Sequence, residues 1–141
     1  MNIDWVIPCR FVEVHDNLGT LVGAGIDTFW LPTLPAEVAI AMALRLTAAA
    51  DELGPSQPHS LRNIIREPGG EPVSDVTGEF TTEASGARTE WLNGIMLSSV
   101  IRFEVAQDGT YAFELVVDGG STATVPLHVV HGAPPGAARG A

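Results

Sequence analysis

The sequence predicts an all-β protein, a two-sheet antiparallel sandwich of the Ig-like Greek-key or jelly-roll kind, with about eight strands and no long helix. Three observations predict it. Segments in the last third alternate apolar and polar residues with period two, and Asp108-Gly109 and Asp118-Gly119-Gly120 separate them as hairpin turns. Alanines favour helix over 36–53, yet Val38, Ile40, Met42, Leu44 and Leu46 all fall on even positions. Large apolar residues two apart belong to a strand, with Ala39, Ala41, Ala43 and Arg45 forming its second face.

Taken in order, residues 3–12 place Ile3, Trp5, Ile7, Cys9 and Phe11 on one face. Pro8 lacks a backbone donor, which predicts an edge strand or a bulge. Residues 15–19 read as a turn, so the strands on either side of it, 3–14 and 20–31, pair as a hairpin. Gly23 and Gly25 share a strand face in the second, where something must pack close to the backbone. Pro32 and Pro35 then precede the strand over 37–47, and Ala48 to Leu53 forms a helical turn before Gly54-Pro55.

Weaker strands follow at 60–67 and 73–82. The polar stretch 83–94 is a loop whose Trp91 folds back onto the core. Strands at 95–105, 111–117 and 122–130 complete the set. Asp108-Gly109-Thr110-Tyr111 resembles a tyrosine corner, in which the phenol bonds to upstream backbone. An ordinary Asp-Gly turn followed by a core tyrosine fits the same residues. Residues 1–131 form one domain, and 132–141 an Ala/Gly/Pro-rich disordered tail.

Composition bounds the function. The 141-residue chain carries a formal charge of −10 and 45% apolar residues, which excludes wholesale disorder. All seven basic residues are arginines scattered along the chain, so a nucleic-acid footprint is not expected, and anionic membranes would repel the surface. The single cysteine, Cys9, excludes an intrachain disulfide. The opening Met-Asn-Ile-Asp-Trp has neither a basic leader nor an apolar core, so the cytoplasm is the expected compartment.

The run Cys9-Arg10-Phe11-Val12-Glu13-Val14-His15-Asp16-Asn17-Leu18, followed by Val22-Gly23-Ala24-Gly25-Ile26-Asp27, resembles a family of small bacterial proteins of unknown function. Gly109 to Leu115 and Val125-Pro126-Leu127 continue the likeness, which spans 3–130. The resemblance implies an all-β sandwich in a bacterial cytoplasm and implies no activity.

Glu13, His15, Asp16 and Asp27 are the candidate ligand or metal residues, of types that suit zinc or a harder divalent ion. Geometry opposes a shared site. In a hairpin turning near residue 17, Asp27 lies about 20 Å from His15, and the four come together only if those strands sit in opposite sheets. His128 and His131 are three apart, and strand spacing sends their rings to opposite faces. His59 opens a polar loop and is expected at the surface. Cys9 and the Ser98-Ser99 pair lack a nearby base or a nucleophile elbow, so an enzyme ranks third among the readings.

The leading expectation is therefore a non-enzymatic protein-interaction or self-assembly module, needing no cofactor. Trp30, Ala39, Ala41 and Ala43 are its candidate interface, and Tyr111, Gly109, Gly23 and Gly25 its structural residues. A small-ligand or metal-binding sandwich is the alternative. Arg102 and Glu114 are expected to pair across adjacent strands.

Overall fold

Strict alternation makes Ala36–Ala48 the spine of the molecule. This strand, β5, turns Val38, Ile40, Met42, Leu44 and Leu46 into the core along its whole length. The computed structural model describes residues 1–136. Ten strands run in order: β1 (Asn2–Cys9), β2 (Phe11–His15), β3 (Leu18–Val22), β4 (Thr28–Leu31), β5, β6 (His59–Arg66), β7 (Pro72–Phe80), β8 (Asn93–Val105), β9 (Gly109–Val117) and β10 (Ser121–His131). A single 3-10 turn, Ala50–Glu52, stands where the helical turn is predicted.

The strands form a three-stranded sheet, β1-β5-β8, and a five-stranded sheet, β4-β10-β9-β6-β7, with β2-β3 as a separate hairpin. The two larger sheets close on one core. Ile101, Phe103 and Val105 of β8 join the β5 residues from one side. Leu61, Ile65, Tyr111, Phe113, Leu115, Val117, Leu127 and Val129 meet them from the other. Each such side chain, fully buried, contributes about 1.5–3 kcal/mol against exposure. The predicted all-β sandwich is thus the fold, with one departure from antiparallel order: β4 runs parallel to β10.

Two predicted strands are each split, which raises the count to ten. The first breaks at Arg10. The second breaks over residues 23–27, where Gly23 and Gly25 adopt φ of 64° and 82°. Only Gly23 also meets close packing, since a Cβ there would lie 2.8 Å from the Arg10 side chain. The break sends β4 into the opposite sheet, so the predicted long hairpin survives only as β2-β3. Its turn uses Asp16 and Asn17 at φ of 49° and 61°, the left-handed pair of a tight hairpin.

The expected face of the first strand also changes. A register shift between Ile3 and Trp5 leaves Ile3 and Val6 packing against the main core. Trp5 and Cys9 turn to the outer side of the small sheet. There they join Ala41 and Ala43 beneath Val12 and Leu21 of the hairpin. Cys9 is fully buried, as expected, but in this second cluster. Burial pushes its thiol pKa up, against a smaller opposing effect from the Ala43 backbone.

The Tyr111 phenol donates to the Gln107 carbonyl at 2.9 Å, so the tyrosine-corner alternative is the one realised. Gly109, at φ 132°, lies where a Cβ would strike the Pro68 ring at 2.7 Å. Trp91, by contrast, does not fold onto the core and is 62% exposed. Asn93 closes the preceding loop instead, donating to Arg88 and Trp91 carbonyls at 3.1 and 3.2 Å. The Arg88 guanidinium lies 5.5 Å over the Trp91 ring. Of the predicted tail, residues 132–136 carry no strand and 137–141 lie outside the described residues.

Candidate interaction site

The predicted site residues are only partly brought together. Glu13 and His15, two apart on β2, pair at 2.9 Å on an exposed edge. Asp16 occupies the hairpin turn. Asp27 lies beyond the break, accepting from the Thr28 hydroxyl at 2.9 Å and, through its carbonyl, from His128 N–H. Among the described residues, no three His, Cys, Asp or Glu side chains stand close enough to hold a metal ion.

The alanine stripe has an occupant within the chain. Ala41 and Ala43 are buried under the β2-β3 hairpin, the second layer their small side chains admit. Ala39 stays exposed and shares a shallow depression with Trp30, Phe29, Ile26 and Arg10.

His59 is 8% exposed, contrary to the expected surface position. Its Nδ1 meets Asp118 Oδ2 at 2.8 Å and its Nε2 the Glu52 carbonyl at 2.7 Å. Its ring lies 5.5 Å from that of Phe80. Burial works against the Asp118 charge, but the Ser60 N–H and the His59 ring together hold the carboxyl below its ordinary pKa. The Glu52 carboxyl is lowered by the Met1 ammonium first and the Ala49 N–H second. These bonds tie the N-terminus, the 3-10 turn, β6 and the β9-β10 turn together, leaving the imidazole no free nitrogen for a substrate.

The sheet edges differ in how they are finished. An unpaired edge offers free N–H and C=O groups to any extended chain. β1 carries Pro8 and the register shift at its start. β4 has four residues. The N-terminal end of β8 is closed by the Asn17 amide, which donates to Gly94 O at 2.7 Å and accepts from Met96 N–H at 2.6 Å. β7 has nine residues and no strand on its outer side among those described.

Register identifies the free groups of β7. The Ser60 carbonyl accepts from Asp118 N–H at 3.1 Å, so Ser60 faces β9. Alternation then turns the backbone of Leu61, Asn63 and Ile65 toward β7, opposite Gly78, Val76 and Ser74. The backbone groups of Asp75, Thr77 and Glu79 are left pointing outward. Val76 shares the inner face with Leu61 and Ile65, yet it is 55% exposed. Three strands facing five leave no layer above it. On the outer face Asp75 is held by Arg62, Nε to Oδ1 at 2.8 Å, which lowers the carboxyl pKa.

Sequence reasoning missed this site. The Val-x-x-Val spacing of 73–76 crosses faces, and only the sheet order shows that β7 is an edge. Arg102 and Glu114 are likewise separated: Arg102 stands 3.5 Å from Glu37, and Glu114 accepts from Arg66 at 2.9 Å, because β8 and β9 lie in different sheets.

The fold and its open edge define an all-β two-sheet sandwich. The chain belongs to a family of unknown function, DUF6941, whose model matches residues 4–130. A comparison with curated proteins finds no match. Among solved structures, the chain is similar to the CARDB domain of the PF1109 protein from Pyrococcus furiosus, determined in complex with di-metal ions. That match has a TM-score of 0.43 and 10% identity, and covers 92% of this chain and 93% of the other. No helix is long and apolar enough to cross a membrane among the described residues, which says nothing of strands.

Proposed function

We propose that this protein is a non-enzymatic interaction module of a bacterial cytoplasm that works by strand addition at β7. The observation that carries the reading is Val76, an inner-face valine left 55% exposed beside an open edge. A strand added there gains main-chain hydrogen bonds from Asp75, Thr77 and Glu79 and covers the valine. The acidic composition and scattered arginines favour a protein partner, or a second copy of the chain, over nucleic acid.

Photo-crosslinking in cells tests it. A benzophenone side chain at Thr77 is expected to yield a protein adduct, and one at Val116, central on the outer face of the sheet, none. An absent adduct at Thr77 would overturn the reading.

One observation favours small-ligand binding as a second reading. An open cleft of about 680 Å³ lies between the β2-β3 turn and the 81–92 loop. Trp91, Leu92 and Met96 line it with Asp16, Asn17, Thr82 and Glu83. Aromatic surface beside a few polar groups is the composition of ligand sites. A small-molecule screen read by Trp91 fluorescence, with Trp91→Phe as control, tests this reading; no saturable response removes it.

A further inference from the structure

We propose that the strand added at β7 is β7 of a second copy, related by a two-fold axis through Val76, which joins two five-stranded sheets into one of ten strands. The inference rests on the strand-addition reading and specifies its occupant and register.

The strand runs from Pro72 to Phe80, so Val76 is its midpoint, and an antiparallel partner centred there overlaps all nine residues. A two-fold pairing brings the same patch of both copies together and closes on itself. With that centre, Asp75 stands opposite Thr77 of the second copy, and Thr77 opposite its Asp75. Both residues have outward backbone groups, so each pair exchanges two hydrogen bonds. Ser74 meets Gly78, and Val73 meets Glu79.

Charge disfavours both neighbouring centres. Moving the axis one residue back sets Asp75 directly against Asp75. Moving it one residue forward sets Asp75 against Glu79. Like charges directly opposite destabilise a sheet pair. Centred on Val76, no carboxylate faces another across the axis. The two Asp75 side chains become diagonal neighbours, each already held by its own Arg62.

Apolar surface agrees with charge. The two Val76 side chains meet as a non-hydrogen-bonded pair, the closer of the two pair types, on the inner face. No charged residue points inward along β7: the inner face is Ser74, Val76, Gly78 and Phe80. Inward-pointing charge is a common guard against edge pairing, and this strand lacks it.

Cysteine crosslinking of the full chain tests register and occupant together. Val76→Cys is expected to give a disulfide-linked dimer as the main product under mild oxidation. Val73→Cys, an exposed valine of the same strand, is expected to give none, because it faces Glu79. The native Cys9 is buried and serves as the unreactive background. Val76→Lys, which sets two ammonium groups together, is expected to leave a folded monomer whose melting temperature no longer rises with concentration. A monomeric Val76→Cys, or equal crosslinking by both variants, overturns the proposal. A foreign protein trapped by the Thr77 crosslinker with Val76→Cys still monomeric overturns the second copy as occupant while the strand-addition reading stands. Absence of any Thr77 adduct removes both.

Discussion

Asn17 closes one end of the β8 edge by pairing its side-chain amide with Met96 as a neighbouring strand would. Its Oδ1 accepts the Met96 N–H at 2.6 Å while its Nδ2 donates to the Gly94 carbonyl at 2.7 Å. The residue can do this because it sits in the hairpin turn at φ 61°, a conformation asparagine tolerates. Replacing it with glycine keeps the turn and removes both bonds. Asn17→Gly is expected to cost about 1–2 kcal/mol and to speed amide exchange at Met96. Unchanged exchange at Met96 would contradict the capping role.

The Tyr111 corner offers a single-atom test. Tyr111→Phe removes the hydroxyl and leaves the Gln107 carbonyl without this donor. A loss of about 1 kcal/mol is expected in denaturant unfolding, with an unchanged slope.

Asn63 lies inward between Leu61 and Ile65, 7% exposed, and its Oδ1 has no hydrogen-bond partner. A buried orphan acceptor costs about 1–3 kcal/mol. Asn63→Leu is therefore expected to raise the melting temperature. A fall would show that the amide has a structural role.

The hairpin over Ala41 and Ala43 is expected to gate the Cys9 thiol. Ala43→Leu overfills the space beneath Val12 and Leu21, at a cost of about 1–3 kcal/mol. Native Cys9 should label slowly with a maleimide, since it is buried and its pKa is raised. Labelling should accelerate in Ala43→Leu.

Acid should weaken the clasp around His59. The carboxyls of Asp118 and Glu52 have folded pKa values below their ordinary ones. A depressed carboxylate stabilises the fold above the unfolded pKa of about 4 and loses that contribution as pH falls through the folded value. The melting temperature should therefore drop below about pH 4–5, and more gently in Asp118→Asn. Asparagine suits the residue's φ of 52°. Identical pH profiles would contradict the role given to Asp118.

Much of the fold was legible because period-two alternation survives in β5, β8, β9 and β10, where one face is core. The tyrosine corner was legible as one of two alternatives. What was not legible depends on long-range pairing. Asp4 carries no local sign that it will shift the register of β1, and the shift moves Trp5 to the other face. Gly23 and Gly25 were visible as unusual, but close packing and a strand-ending turn both call for glycine. His59 follows a Pro-rich turn and reads as exposed until Asp118, 59 residues away, is placed beside it. The candidate site was illegible for the same reason: an edge is a property of sheet order, which β7 does not encode locally.

Residue-resolved amide exchange of the purified chain at low and high concentration tests the central claim most directly. Pairing through β7 predicts that the amides of Asp75, Thr77 and Glu79 slow as concentration rises, while those of Arg102 and Glu104 on the β8 edge do not. Fast exchange at Asp75, Thr77 and Glu79 at every concentration would contradict it.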